Sequence, residues 1–393
     1  MRIGAAFVFT LASCSFYVDL GGNAAIDAND TPVDDGRVID EMVPPDPCRP
    51  VQVAASSAHN CVRMANGDVW CWGMNTQGQV GRPAQRNDCQ GIYPCNPTPE
   101  KIDVTGATNM GMGDQHACVI AGATTYCFGA NDSGQFGDNS GDSAVPLIVT
   151  QRANATEIVG GDTHTCSRHG GEVRCSGNNG RSECGDGTVT PRPMPVVTLA
   201  SGSDAIGTGF QHMCSVDDGL VYCWGDNLFG QAGGSGTSVS IPRLVQNVSD
   251  VVAVAGGLSH TCAVQLGGTV RCWGYNGNGQ LGVGGITPIG PATAQVAGIV
   301  QISAGVNHTC ALASGGTVYC WGEGYTNTPA EVVLPSLAAQ VASGSYHDCF
   351  VLEPSPTHPS GSVYCRGWDG YGQLGRGGTP GLTLGTGPVR LCP

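Results

Sequence analysis

Seven times along the chain a histidine precedes a cysteine by two residues, at His59, His116, His164, His212, His260, His308 and His347, and a second cysteine follows each pair. Imidazole and thiolate both ligate zinc, so each unit offers three soft donors. The spacing lacks the tight Cys-x-x-Cys knuckle of structural zinc, and the same sulfurs have a second chemistry open to them: oxidation across a β-hairpin. Cys118 with Cys127, Cys166 with Cys175, and Cys214 with Cys223 centre on Gly122-Ala123, Gly170-Gly171 and Asp218-Gly219, which suit two-residue hairpin turns with positive φ angles. Such a turn sets the two cysteines directly opposite, within reach of a disulfide. Cys61 with Cys71, Cys262 with Cys272, and Cys310 with Cys320 are one residue longer and centre on Asn66, Gly267 and Gly315, as a three-residue loop requires; Cys349 with Cys365 carries an insertion. We expect seven hairpin disulfides, with zinc as the alternative use of these residues, and neither metal nor cofactor. No Gly-x-Ser-x-Gly elbow, His-Glu-x-x-His helix or phosphate loop is present, so no enzyme activity is expected.

The intervals between the histidines are 57, 48, 48, 48, 48 and 39 residues, and a text close to Val-x-Cys-Trp-Gly-x-Asn-x-x-Gly-Gln-x-Gly follows each. The third copy is degraded to Cys175-Ser176-Gly177, the sixth lacks the Gly-Gln-x-Gly end, and the seventh holds the insertion. With 62 Gly, 24 Pro and 12% charged residues the chain reads as many short strands joined by turns, not as helices. A unit of about 49 residues allows four strands, and one such sheet cannot hide both faces, so the units must stack radially. The fold class expected is all-β: a seven-bladed β-propeller with disulfide-stapled hairpins, its repeated His buried and its repeated Trp in the blade core.

These repeats resemble the RCC1-like (regulator of chromosome condensation) repeat family; Ser303-Ala304-Gly305-Val306-Asn307-His308-Thr309-Cys310-Ala311-Leu312 is nearly the family text. The resemblance covers roughly residues 48–393 and implies the propeller. The cysteines depart from it and are similar instead to the extracellular repeats of plant crinkly receptor kinases. Ser215-Val216-Asp217-Asp218-Gly219 resembles the Asp-box of sialidases, but it occurs once, coincides with a repeat turn, and lacks the arginine cluster that sialidase chemistry needs.

Six cysteines lie outside the hairpin pairs: Cys14, Cys48, Cys89, Cys95, Cys184 and Cys392. Cys89 and Cys95 should staple the extra residues of the first repeat. Cys184 takes the apolar position of the Gly-Gln-Leu-Gly text and is expected to be a free buried thiol. Cys48 and Cys392 should pair across the seam. Pro195 precedes His212 by 17 residues, and splicing Pro393 to Cys48 puts Pro388 the same 17 ahead of His59, so the C-terminal strand is expected to complete the first repeat's blade.

Arg2 followed by the apolar run 3–12 is too short to span a bilayer and reads as a signal-peptide core. Leu11-Ala12-Ser13-Cys14 resembles the lipobox of bacterial lipoproteins, which implies acylation of Cys14; Ser15 after it favours the outer membrane by the same resemblance. Residues 1–14 are thus assigned to the signal, 15–47 to an acidic, Pro-punctuated tether and 48–393 to the propeller. The net charge of −14 disfavours nucleic acid and anionic lipid surfaces, leaving the lipid anchor as the membrane link. The expected function is a monomeric, non-catalytic platform contacting a protein or extracellular polymer through one propeller face. Met74, Leu228, Phe229, Tyr275, Tyr325 and Tyr371, which flank the repeated Asn or take its loop position, are the candidate contacts. Inhibition of a secreted enzyme is an alternative, and a propeller glycosidase or other hydrolase a remote one.

Overall fold

The computed structural model describes residues 11–12, 15–16, 46, 48–89, 91–287, 289–377, 381–389 and 391. Seven antiparallel sheets make up the propeller. The fourth blade shows the plan: Ala205–Thr208 innermost, then His212–Asp217, Leu220–Asp226 and Ser238–Leu244 at the outer edge, each strand paired with the next. The first blade adds a fifth strand, Arg86–Cys89, outside Tyr93–Lys101. Among the described residues the single helical turn is a 3-10 turn at Thr150–Arg152. Leu11–Ala12 pairs with Ser15–Phe16 in a two-residue ladder. The expected tether, residues 15–47, lies almost wholly outside the described residues, as does the expected acylation site at Cys14.

The strand directions sort the connections. Turns between first and second strands, and loops between third and fourth strands, fall on one face, called here the loop face. The central hairpin turns and the links from blade to blade fall on the other, the hairpin face. Gly170-Gly171 and Asp218-Gly219 form two-residue turns with φ of 60° and 104°, and 47° and 75°. In the three-residue loops the left-handed residue comes last, at Gly67, Gly268 and Gly316.

The hairpin cysteines join as the turn chemistry requires. Among the pairs separated by nine residues, Cys118 is bonded to Cys127, Cys166 to Cys175 and Cys214 to Cys223. Among those separated by ten, Cys61 is bonded to Cys71, Cys262 to Cys272 and Cys310 to Cys320. Cys349 is bonded to Cys365 across 16 residues, so the insertion of the seventh repeat lengthens the turn without moving the sulfurs apart. Every one of these pairs is in direct register across its hairpin, with Cα–Cα of 4.1 Å. The second cysteines, Cys71, Cys127, Cys175, Cys223, Cys272, Cys320 and Cys365, are fully buried on the strand that carries the repeated Trp, so these bridges belong to the blade core and not to a surface site. Oxidised in this way, the sulfurs offer zinc no thiolate.

Cys89–Cys95 is an eighth bridge, and Cys184 is buried and free. Cys48 is disulfide-bonded, while Cys392, the partner expected for it, lies outside the described residues.

The shared-blade closure is corrected. Gly381–Pro388 pairs with Ser362–Asp369 as the outer strand of the seventh blade, and the first blade is built wholly from residues 50–101. The spliced register is off as well: Pro388 lies opposite Tyr364, a place that Val197 and not Pro195 takes opposite Arg174 in the third blade. Pro195 lies in Arg192–Leu199, which is the outer strand of the third blade and not the first strand of the fourth. The ring closes instead by side chains and turns between blades seven and one. Gln340 Oε1 accepts from Val53 N at 2.5 Å, His347 Nε2 meets Asn60 Oδ1 at 2.7 Å, and Ser345 N donates to Ser56 O at 3.1 Å.

A ten-residue disulfide loop is worth about 2–3 kcal/mol on the chain-entropy view. Non-reducing peptide mapping is expected to link each hairpin pair within its own repeat, and reduction to lower the unfolding midpoint. Alkylation before unfolding should leave Cys184 untouched; a hairpin cysteine crosslinked to another repeat would contradict the assignment.

Candidate functional site: the frame and the loop face

The residues that repeat are spent on joining blades. In six of the repeats the position three before the histidine is a glycine on which the ring of the same repeat lies: a Cβ at Gly161 or Gly209 would sit 2.1 Å from the ring Cε1. The first blade has Ser56 there, and its hydroxyl pairs with His59 Nδ1 at 2.7 Å. The ring then reaches into the next blade, to the residue following that blade's histidine. His116 Nε2 meets Thr165 Oγ1 at 2.7 Å, His212 meets Thr261 at 2.8 Å and His260 meets Thr309 at 2.9 Å.

Each relay continues. Thr261 and Thr309 give their single hydroxyl hydrogen to the backbone carbonyls of Gln231 and Gln280, so His212 and His260 must donate from Nε2–H. The same carbonyls accept from Trp273 and Trp321 Nε1, and Gln373 O accepts from Asn60 Nδ2 and Trp72 Nε1. The repeated Trp is therefore a buried inter-blade donor as well as core. Where the next blade offers Ala117 or Met213, His59 and His164 keep an unpartnered Nε2.

The Asn-x-x-Gly-Gln text folds the outer loop. Asn227 Oδ1 accepts from Ala232 N and Gln231 Oε1 from Phe229 N, and Asn276 with Gln280 repeats this in the fifth blade. At Cys184, whose thiol burial pushes up to about 12, the backbone N–H makes the same bond to Asn179 Oδ1.

Two interfaces lacking the repeat text carry charged substitutes. Ser176 replaces Trp in the third blade, and the fully buried Arg152 fills the gap, donating to Phe136 O at 2.7 Å, Ser167 Oγ at 2.7 Å and Thr165 O at 3.0 Å. Between blades six and seven Asp348 replaces Thr and Arg366 replaces Trp. His308 Nε2 meets Asp348 Oδ1 at 3.0 Å, Tyr325 OH donates to Oδ2 at 2.5 Å, and Arg366 stands 5.0 Å over the Tyr325 ring. Burial opposes the charge on Asp348, but His308 and the hydrogen bonds hold its carboxyl down at about 2. His308, Cys310 and Asp348 are grouped closely enough for a metal ion, yet the Cys310 sulfur is bonded to Cys320 and offers no thiolate.

The variable residues gather on the loop face. Leu228 and Phe229 are 56% and 42% exposed, and Phe229 meets Tyr275 at 4.9 Å across blades four and five. Tyr371 stacks edge-on against Trp368 and Tyr93 at the seam. Met74 is half-buried, and Tyr325 is turned into the interface just described, so it belongs to the frame more than to the surface. Sequence reasoning missed Leu258 and Tyr346, both exposed beside the channel mouth, and Ile92 at the tip of the stapled hairpin. The signal was available: Gly257-Leu258-Ser259-His260 and Gly344-Ser345-Tyr346-His347 vary within a fixed Gly-x-x-His frame. Asp114 and Asp162 line the channel mouth, where burial and the Asp114 charge raise the Asp162 carboxyl.

Seven disulfide-stapled blades with a fixed frame and one variable face define a seven-bladed repeat β-propeller. The sequence profile described as the Regulator of chromosome condensation (RCC1) repeat matches residues 51–79, 204–231, 251–280 and 299–326 in one form and 66–120 and 218–264 in another, so these segments of the propeller are RCC1-type repeats. Among solved structures it is similar to human WBSCR16, at TM-score 0.70 and 19% identity over 78% of this chain and 87% of that one. Prp20p from Saccharomyces cerevisiae, described with its binding properties to Gsp1p and histones, aligns at TM-score 0.69 and 18% identity over 83% and 86%. The ectodomain of the Physcomitrella patens receptor kinase CR4 aligns at 0.51 and 20% over 81% and 74%. At these identities the likeness speaks for the fold.

The relay can be tested by substitution and by pH. Thr261→Val strands His212 Nε2 and should cost about 1–3 kcal/mol, whereas Ala117→Thr supplies the acceptor His59 lacks and should gain about 1 kcal/mol in denaturant unfolding. Burial pushes His59, His116, His212 and His260 down to about 3, and His164 and His347 to about 4. Between those values and the unfolded value of 6.5, the unfolded chain binds more protons, so stability must fall as pH drops through that window. Glu157, raised to about 7 by burial, acts in the opposite sense, as do the raised carboxyls of Asp162 and Glu183, three groups against these six histidines. Melting temperatures recorded from about pH 7 to about pH 4.5 should fall steadily; a flat profile would contradict the buried neutral relay.

Proposed function

We propose that this propeller is a non-catalytic platform that binds a protein partner through its loop face, held at the outer membrane by an acylated Cys14 and the acidic tether. The carrying observation is the division of labour within each repeat. His, Trp, Asn and Gln are consumed by hydrogen bonds between and within blades, whereas Leu228, Phe229, Leu258 and Tyr346 project from the same loops with large exposed apolar surface. Exposed aromatic and aliphatic groups clustered on one face are the usual anchors of protein interfaces. A second reading, inhibition of a secreted enzyme, is favoured by the hairpin stapled through Cys89–Cys95, which offers Ile92, 72% exposed, at its tip.

Two experiments test the platform. Phe229→Ala with Tyr275→Ala should leave the fold within about 1 kcal/mol of wild type and weaken partner capture by roughly tenfold or more. Lost stability with undiminished capture would mean that the rings merely cover neighbouring blades. Separately, Cys14→Ala should move the protein into the soluble fraction, and unchanged membrane fractionation would remove the anchor from the account.

A further inference from the structure

On the hairpin face, at the axial end of blades six, seven and one, lies a cavity of about 490 Å³ whose lining includes Gln52, Arg63, Leu312, Leu337, Gln340 and Val351. The third blade supplies an internal control for its charge. Seven residues before the repeated histidine and four after it, that blade has Glu157 and Arg168, joined by an ion pair at 2.9 Å. The first blade has Gln52 and Arg63 at the same two places, in register across the strands. Arg63 Nε donates to Gln52 Oε1 at 3.0 Å, and among the described residues the guanidinium makes no ion pair. The arginine is half-buried, and burial lowers its affinity for its proton with no neighbouring carboxylate to offset the cost.

A second group in the same lining is unsatisfied. Gln340 is 5% exposed; its Oε1 accepts from Val53 N, and its Nε2 is a buried donor without a partner. Buried donors of this kind are costly and few. The Gln340 nitrogen is sealed within the wall, so Arg63 is the donor a ligand can reach, beside the exposed apolar side chains of Leu337 and Val51, while Arg49 and Glu353, of opposite charge, stand exposed in the same lining. Fork geometry makes a guanidinium selective for a planar carboxylate.

We propose that this cavity is a binding site for a small organic acid with a single carboxylate and an apolar body. The carboxylate supplies the charge that Glu157 gives Arg168, accepting from the free nitrogens of Arg63 beside Gln52, and the body lies against Leu337 and Val51. The site is on the face opposite the proposed partner surface and stands or falls independently of it.

The test is calorimetric titration of the folded chain with phenylacetate, and with phenylacetamide as its uncharged counterpart. Saturable binding of phenylacetate is expected, with the amide at least roughly tenfold weaker, as loss of a charge-assisted pair implies. Arg63→Gln should abolish binding. Gln52→Glu should also abolish it, because it rebuilds the pair of the third blade and satisfies Arg63 internally; an unchanged or raised melting temperature shows that this variant is folded. N-acetylphenylalanine separates a free acid from a peptide chain end. Failure of phenylacetate to bind the wild-type chain, equal binding of acid and amide, or binding retained in the folded Gln52→Glu variant would overturn the proposal. A clear preference for N-acetylphenylalanine would overturn the small-acid assignment in favour of a protein C-terminus.

Discussion

Five of the seven blades hold the next one through a histidine that is not satisfied within its own sheet. The ring packs against a glycine of its own repeat, and its Nε2 reaches a hydroxyl, amide or carboxylate on the next blade, which in three repeats passes the bond back to a glutamine carbonyl. Four-stranded sheets of this length have little stability alone, and a propeller has no edge at which to start. The relay ties five of the seven blade pairs, and it closes the ring, through His347 and Asn60, with the chemistry used elsewhere.

The constraint shows most plainly where the repeat text fails. Losing Trp at Ser176 would leave the Gln135 carbonyl in a dry interface, and Arg152 enters from the preceding blade's connection to serve it, with Ser176 Oγ also within reach. Losing Thr at position 348 is met by a carboxylate that His308 and Tyr325 satisfy together. These are buried charges kept by hydrogen bonds, which is the condition under which a buried charge is tolerated. The disulfides act on a different link. They fix hairpins locally, as Cys214–Cys223 does across Asp218-Gly219, and leave the geometry between blades to the relay.

Much of this was legible in the sequence. Turn residues and cysteine spacing agreed on the hairpins, and the structure has those hairpins because strand register is a local property. The period of the histidines counted the blades. What the sequence hid was long-range. Nothing in the neighbourhood of Ser176 points to Arg152, 24 residues earlier, as its replacement. By count Pro388 stands as far ahead of the next histidine as Pro195 does, but a count gives neither the register of an outer strand nor which of two adjacent sheets it joins. Tyr325 read as a surface residue because its loop position is variable; the carboxylate that draws it inward belongs to another blade.

A frame so fully occupied leaves function to what it does not use, and on the loop face that is the set of variable apolar residues around the channel mouth. Site-specific photocrosslinking compares the two faces directly. A benzophenone amino acid at position 228 stands on the loop face, and one at position 266, where Leu266 is 68% exposed on the hairpin face, is matched for accessibility. With envelope extract from the parent organism, the account predicts a discrete adduct from position 228 and none from position 266. An adduct formed equally at both, or at position 266 alone, would contradict the loop face as the binding surface.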